Sequence, residues 1–276
     1  MSNTAVYSKL PLDQDIKPAW IMSFGVAILM GVMSLLGLFI SNSIYKTELI
    51  FQSFFTNDVI NLILGIPILL GAMWLTSRGK LVGLLFWPGA LLFVIYNYIA
   101  YVFGRPFDLF TFVYLALILI SAYIIYDLIR KVDSNSVKQQ LTGAVGEKLA
   151  GWFLLIFGIL FILRAVNIFV SASLNQVVLP PTEIGVSIAD IVISILWIIG
   201  GILLLRTKPL GYTTGLGLLF AASMLFVGLI IFLIIQPVLT AAPFIPIDII
   251  VVAVMGIILS IPFIIFLRGT IKTSRI

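Results

Sequence analysis

Eight long apolar runs constrain the fold of this chain more than any other feature of its sequence. They cover residues 19–40, 59–76, 81–103, 109–126, 149–170, 184–205, 210–235 and 246–267. A helix of about 20 apolar residues crosses the ~30 Å hydrocarbon core of a bilayer. Hydrophobic residues make up 62% of the chain and charged residues only 10%. A soluble domain of this composition would have too few polar residues to cover its surface. The sequence therefore predicts an all-α, polytopic membrane protein with about eight transmembrane helices.

The positions of the basic residues predict how these helices are oriented. Eight spans place both termini on one side of the membrane, and thirteen of the 16 Lys and Arg residues fall on that side. The other three, Lys46, Arg105 and Arg164, lie on the opposite side or within a span. Because cytoplasmic loops carry an excess of Lys and Arg, we expect a cell-membrane protein with cytoplasmic N- and C-termini. Topology thus explains the net charge of +5. We expect the lipid bilayer as a partner and no nucleic acid.

Four short sequence echoes predict that the chain is a four-helix unit used twice. They pair residues 39–43 with 169–173, 58–60 with 190–192, 78–83 with 206–211, and Pro106-Phe107-Asp108 with Pro243-Phe244 and Asp248. An even number of spans inserts both units in the same direction, as a parallel repeat. The expected organisation is an N-terminal tail (1–17), a first transmembrane unit (18–130), a linker (131–148), a second unit (149–268) and a C-terminal tail (269–276).

The absence of two residue types excludes several kinds of chemistry. The chain has no cysteine and no histidine. This rules out disulfides, thiol redox chemistry, Cys/His zinc sites, His-ligated haem and nucleophiles activated by histidine. We expect no catalytic residues, metal or cofactor, and an intramembrane enzyme that uses carboxylates and tyrosines is the least favoured class.

Arg164 and Asp190 are expected to form an ion pair inside the membrane. Asp190 lies sixteen residues before Arg206, and Arg164 lies sixteen residues after Lys148. Each distance corresponds to about 24 Å of helix, short of the ~30 Å core. The two side chains therefore share a depth on consecutive helices, and Asn167 is one turn from Arg164. An intramembrane ionisable residue is a functional candidate by default, whereas a paired one also serves simply to hold two helices together.

The remaining polar residues near the side opposite the termini allow both structural and functional interpretations. Asp58, Asp108, Asp190 and Asp248 are expected at helix N-termini, where carboxylates cap free N–H groups; a carboxylate ring for cations is the alternative. The tyrosines at 96, 98 and 101 fit an interfacial aromatic belt. Asn97 and Asn61 are candidates to line a polar cavity open to that side. Pro67 predicts a break within the second span.

These features favour a transporter-like or permease-like protein for a small solute, an ion or a lipid. Its candidate ligand or pathway residues are Arg164, Asp190, Asn167, Asn97 and Asn61. The alternative is a non-catalytic scaffold or accessory subunit that binds another membrane protein. A pathway requires these residues to converge on a cavity, whereas a scaffold lets them pair off.

Overall fold

Eight long helices form the body of the protein. The structure is a computed structural model and describes residues 10–273, among which there is no β-strand. Each of the eight is long and apolar enough to cross a membrane, so the chain is an all-helical, multi-pass membrane protein. We label them α1 (Lys17–Phe39), α2 (Glu48–Ser77), α3 (Leu81–Phe103), α4 (Leu109–Lys131), α5 (Glu147–Leu174), α6 (Pro181–Leu205), α7 (Pro209–Leu239) and α8 (Pro246–Thr273). The end of the bundle that carries Lys17 and Thr273 is called proximal here, and the opposite end distal.

The second helix begins earlier than its apolar run predicts. It begins at Glu48, eleven residues before the predicted start at residue 59, because the Thr47 hydroxyl caps it by accepting a hydrogen bond from the Ile50 amide at 3.4 Å. It is α-helical from Glu48 to Ile60 and again from Ile66 to Ser77, with a π-helical turn over Asn61–Gly65 between the two parts. Most of the segment between the first two apolar runs, residues 41–58, is therefore helix, with more polar residues than the span that follows.

Helix α3 occupies the centre of the bundle. It contacts α2, α4, α6, α7 and α8, and it is the most buried of the eight helices. Its backbone meets that of α7 at two glycines: a Cβ added to Gly89 would lie 2.2 Å from the Gly217 carbonyl oxygen. Small residues allow this approach, which membrane helices use because lipid supplies no hydrophobic drive between them. Helices α5 and α8 lie at the periphery and are the least buried of the eight helices.

Two proximal turns, α2–α3 and α6–α7, have the same geometry. In the first, the Gly79 amide donates to the Thr76 carbonyl at 2.9 Å and the Lys80 amide to Leu75 at 3.1 Å. In the second, Thr207 donates to Leu204 and Lys208 to Leu203, both at 2.9 Å. Gly79 and Thr207 both have positive φ, of 68° and 49°. Every residue of the second turn comes 128 positions after its counterpart in the first.

The proximal end is covered by the N-terminal segment and the linker. The segment before α1 runs antiparallel to residues 131–133, with the Asp13 amide donating to the Lys131 carbonyl at 2.8 Å. The linker contains a short helix, Ser134–Leu141, which buries Val137 and Leu141 against the bundle. Its first residue is also held by the Thr213 hydroxyl on α7, 3.0 Å from the Ser134 hydroxyl. The linker is thus part of the packed structure.

Candidate functional site: two buried carboxylates near the distal end

The first buried carboxylate, Asp58, lies between α1, α2 and α3. It accepts hydrogen bonds from the hydroxyls of Tyr101, at 2.8 Å, and Tyr45. Burial, with the neighbouring Asp58 carboxylate, raises the pKa of Tyr45 above its usual value, so this hydroxyl keeps its proton and acts as a donor. Gly37 on α1 makes room for the carboxylate, because a Cβ there would lie 1.8 Å from Asp58 Oδ2.

A position at a helix N-terminus is confirmed for Asp108 and Asp248 and is wrong for Asp58, while Asp190, which the residue count already placed inside the membrane core, is likewise not at an N-terminus. Asp108 caps α4 in a reciprocal arrangement with Thr111, and Asp248 lies in the first turn of α8. Asp58 and Asp190 instead lie ten and nine residues after the first residues of α2 and α6. Helix α2 continues past its apolar run on the distal side, which leaves Asp58 inside the bundle, whereas Asp190 lies within the apolar run of α6 itself. The capping interpretation of Asp58 assumed that α2 begins where its apolar run begins, at residue 59.

Arg105 provides a positive charge close to the first carboxylate. Its side chain is only 2% exposed, and its guanidinium donates to Asp108 at 3.0 Å, to the Tyr114 hydroxyl at 2.7 Å and to the Ile44 carbonyl at 3.2 Å. The guanidinium carbon also lies 5.2 Å from the centre of the Tyr45 ring, within cation–π range. This arginine therefore links the α1–α2 connection to the start of α4.

The second buried carboxylate, Asp190, forms the ion pair expected from the sequence. Arg164 Nη1 on α5 lies 2.7 Å from Asp190 Oδ2 on α6, and the Tyr96 hydroxyl on α3 donates to Oδ1 at 2.9 Å. The exposure of the two partners differs sharply: the Asp190 side chain is 1% exposed and that of Arg164 is 52% exposed. The pair therefore joins α6 to both neighbours and leaves much of the guanidinium on the outer surface of the bundle.

Asn167 lies on that same outer surface. It is exposed one turn beyond Arg164, and the Ser171 hydroxyl lies 3.5 Å from its amide oxygen. One turn further along α5, the Asn175 side-chain amide donates a hydrogen bond to the Ser171 carbonyl at 2.8 Å. We call Arg164, Asn167 and Ser171 the α5 polar stripe. Its flanking residues are apolar and exposed, including Leu163, Val166 and Val170.

Asn61 is fully buried, and its amide has no hydrogen-bond partner among residues 10–273. It is the first residue of the π-helical turn in α2, and its side-chain oxygen faces Gly65, 3.7 Å from where a Cβ would lie. Asn97 on α3 is also buried, and its amide donates to the Phe93 carbonyl of its own helix at 2.9 Å. Phe93 in turn lies against Gly65, so both asparagines border the α2–α3 contact.

The five candidates predicted from the sequence thus occupy three places. Arg164 and Asp190 form the ion pair, Asn167 extends the α5 polar stripe, and Asn61 with Asn97 borders the α2–α3 contact. The prediction missed Asp58 as a buried group, together with Tyr45, Tyr101 and Arg105. Tyr98, Tyr101 and Arg105 are spaced three and four residues apart, so their shared helix face could have been recognised.

The aromatic-belt interpretation of the α3 tyrosines is wrong. Tyr98 and Tyr101 are each 1% exposed, and Tyr96 is held against Asp190. Their rings pack on one another, with centroids of Tyr98 and Tyr101 5.4 Å apart, and on Tyr114. These tyrosines face the interior because α3 is surrounded by other helices, which no local pattern reveals.

Comparison with known proteins identifies no relative of this chain. No family model, no curated protein and no solved structure matches the chain. No group of three or more acidic side chains suited to a metal ion occurs among residues 10–273.

Proposed function

We propose that the protein is a transporter-like permease for a small solute, an ion or a lipid. The observation that carries this proposal is Asn61, whose amide is fully buried and unpartnered in the part of the chain that the structure describes. Each unsatisfied buried polar group costs about 1–3 kcal/mol. A packed helix gains nothing from that cost, whereas a ligand-binding position uses free donors and acceptors.

The local backbone of α2 supports the same function. Asn61 begins a π-helical turn, and Pro67, which cannot donate a backbone hydrogen bond, follows it closely. Single π-helical turns occur frequently at functional sites, and transporters place ligands at breaks within membrane helices. Asp58 lies three residues before Asn61, on the same helix face. A carboxylate and a free amide therefore adjoin at one irregular point of a membrane helix.

The test is transport by Asn61→Leu in proteoliposomes. Leucine has a similar volume and removes both unpartnered groups, so the variant should melt at a higher temperature than the wild type. If Asn61 binds the transported species, the same variant should lose uptake for whichever member of a panel of labelled ions, small solutes and lipids the wild type transports. Higher stability together with lost transport distinguishes binding from packing.

Ser121→Ala is the matched control, because the Ser121 hydroxyl on α4 is likewise buried without a partner among residues 10–273. It should leave uptake unchanged. Full uptake by Asn61→Leu, or no uptake of any panel member by the wild type, contradicts the transport proposal.

A second candidate function is a scaffold or accessory subunit, and the α5 polar stripe favours it. Polar side chains at membrane depth are costly on a lipid-facing surface and commonly hydrogen-bond to a neighbouring helix. A photo-crosslinking residue at position 167 should then give one product of defined size in cells. The same residue at Ile257, which is 66% exposed on α8, serves as the control. Equal or diffuse products at both positions argue against a partner at α5.

The internal repeat and the topology belong to the same proposal. Two observations support a duplication: the α2–α3 and α6–α7 turns match at an offset of 128, and Gly89 and Gly217, which meet where α3 crosses α7, have that same offset. The units would comprise residues 18–130 and 149–268, inserted in parallel around this crossing.

The bias of thirteen basic residues against three supports a cell-membrane location with cytoplasmic termini.

A further inference from the structure

A cavity of about 160 Å³ opens at the distal end, where α2 meets α7 and α8. Its polar lining consists of Gln52 on α2, Gln236 on α7 and Asp248 in the first turn of α8, and Ala242 also lines it. Gln236 Nε2 donates to the Gln52 carbonyl at 3.3 Å, which ties the two sides of the cavity together. No basic side chain lines it, and Asp248 forms no ion pair with any residue of the described range 10–273.

The segment before α4 contains an arginine that the corresponding segment before α8 lacks. In Arg105-Pro106-Phe107 the arginine is buried and pairs with Asp108 at 3.0 Å. In the second unit the corresponding segment is Ala242-Pro243-Phe244, followed by Asp248. An alanine thus takes the place of the arginine, and both the alanine and the aspartate line the cavity. This correspondence rests on the proposed duplication.

The surrounding charges favour a cation. At the distal end, Arg105 and Arg164 are each paired with an aspartate. Apart from these pairs and the buried Asp58, the distal end has one positive charge and three negative charges. The positive charge is Lys46, and the negative charges are Glu48, Glu183 and Asp248. Glu48 accepts a hydrogen bond from the Gln52 amide at 2.8 Å, so a second carboxylate lies close to the cavity. A surface with excess negative charge raises the local concentration of cations.

We propose that this cavity binds a small organic cation through a guanidinium or primary ammonium group. Asp248 would supply the opposite charge, and the amide oxygens of Gln52 and Gln236 would accept further N–H hydrogen bonds. Such charge-assisted hydrogen bonds are about twice as strong as neutral ones. The volume is sufficient for a small cation or several water molecules.

The test measures binding to the purified full-length protein by calorimetry and thermal unfolding. The probes are methylguanidinium and ethylammonium, each as the chloride salt, and methylurea is the neutral analogue of methylguanidinium. The wild type should bind the two cations saturably and methylurea not at all. Asp248→Asn should weaken binding at least about tenfold. Glu183→Gln, which removes a distal carboxylate that does not line the cavity, should bind as the wild type does.

Ala242→Arg provides a second variant that copies the first unit. Its guanidinium should occupy the cavity beside Asp248, abolish binding of both probes and raise the melting temperature. The inference is overturned by equal binding of methylurea, by unchanged binding in Asp248→Asn or Ala242→Arg, or by no saturable binding to the wild type. Binding is measured without transport, so failure of uptake with intact binding affects only the proposed permease function.

Discussion

At the scale of single residues, the protein buries two carboxylates in different ways. Asp58 is surrounded by tyrosine hydroxyls in a space that Gly37 leaves open, whereas Asp190 is neutralised by a partly exposed arginine. A buried charge costs several kcal/mol unless hydrogen bonds or an opposite charge compensate for it. The two sites therefore respond differently to substitution, which gives two predictions.

We expect Gly37→Ala to destabilise the protein, because the new methyl group overlaps the Asp58 carboxylate. Overpacking of this kind costs about 1–3 kcal/mol, which thermal unfolding in detergent can measure. Gly25→Ala on the same helix is the control, since a Cβ at Gly25 meets nothing within 4 Å. Equal melting temperatures for the two variants contradict the placement of Asp58 against α1.

We expect Arg164→Gln to be more harmful than Asp190→Asn. Removing the arginine leaves a buried carboxylate without an opposite charge, at a cost of about 3 kcal/mol, whereas removing the carboxylate leaves an arginine that is half exposed. In thermal unfolding, Asp190→Asn and the double variant should both have a higher melting temperature than Arg164→Gln. A double variant that melts as low as Arg164→Gln alone contradicts the pairing.

At the scale of helices and linkers, the contacts are made by small residues and short caps. The backbones of α3 and α7 touch at Gly89 and Gly217. The linker helix is capped by Asp133, whose carboxylate accepts hydrogen bonds from the Ser136 hydroxyl and from the amides of Ser136 and Asn135. These hydrogen bonds lower the pKa of Asp133. One contact lies within the bundle and the other at its proximal surface, and each gives a prediction.

Gly89→Ala should separate α3 from α7 and lower the melting temperature, since its Cβ would lie 2.2 Å from a carbonyl oxygen. Backbone cannot move aside as a flexible side chain can, so we expect a loss of about 2 kcal/mol or more. Gly71→Ala on α2 is the control, because nothing lies within 4 Å of a Cβ there. A melting temperature for Gly89→Ala equal to that of the control contradicts this crossing.

The cap of the linker helix should be lost in acid. A carboxyl whose pKa is lowered by folding contributes stability above its usual pKa of about 3.8, and this contribution disappears as the pH falls through the lowered value. Amide-exchange protection of Ser134–Leu141, corrected for intrinsic rates, should be high at about pH 5 and low at about pH 2, where the carboxyl becomes protonated in the folded protein as well. In Asp133→Ala it should be low at both values, while α3 stays protected in both proteins. Protection independent of pH in the wild type contradicts the cap.

At the scale of the whole molecule, eight spans place the linker and both ends of the bundle on one side. The chain contains no cysteine, so single cysteines can report the topology without background. Gln139→Cys lies in the proximal linker and Val178→Cys in the distal α5–α6 loop, both at exposed positions. An impermeant maleimide applied to intact cells should label position 178 and not position 139. The reverse pattern contradicts the proposed cytoplasmic termini.

The sequence by itself determined the membrane-spanning helices and the depth of some polar groups. Eight apolar runs and their connections predicted eight helices, because a membrane helix satisfies its backbone hydrogen bonds within one segment. Counting residues from Lys148 and Arg206 also predicted the Arg164–Asp190 pair, since rise per residue converts sequence into depth.

Only the tertiary structure decided which side chains face the interior. Tyr98 and Tyr101 are buried because α3 is enclosed by other helices, and Asp58 is internal because α2 extends past its apolar segment. Helix faces toward lipid and helix faces toward protein are both apolar, so hydrophobic periodicity does not distinguish them. The environment of Asn61 and the cavity beside Asp248 likewise depend on contacts between segments far apart in the chain.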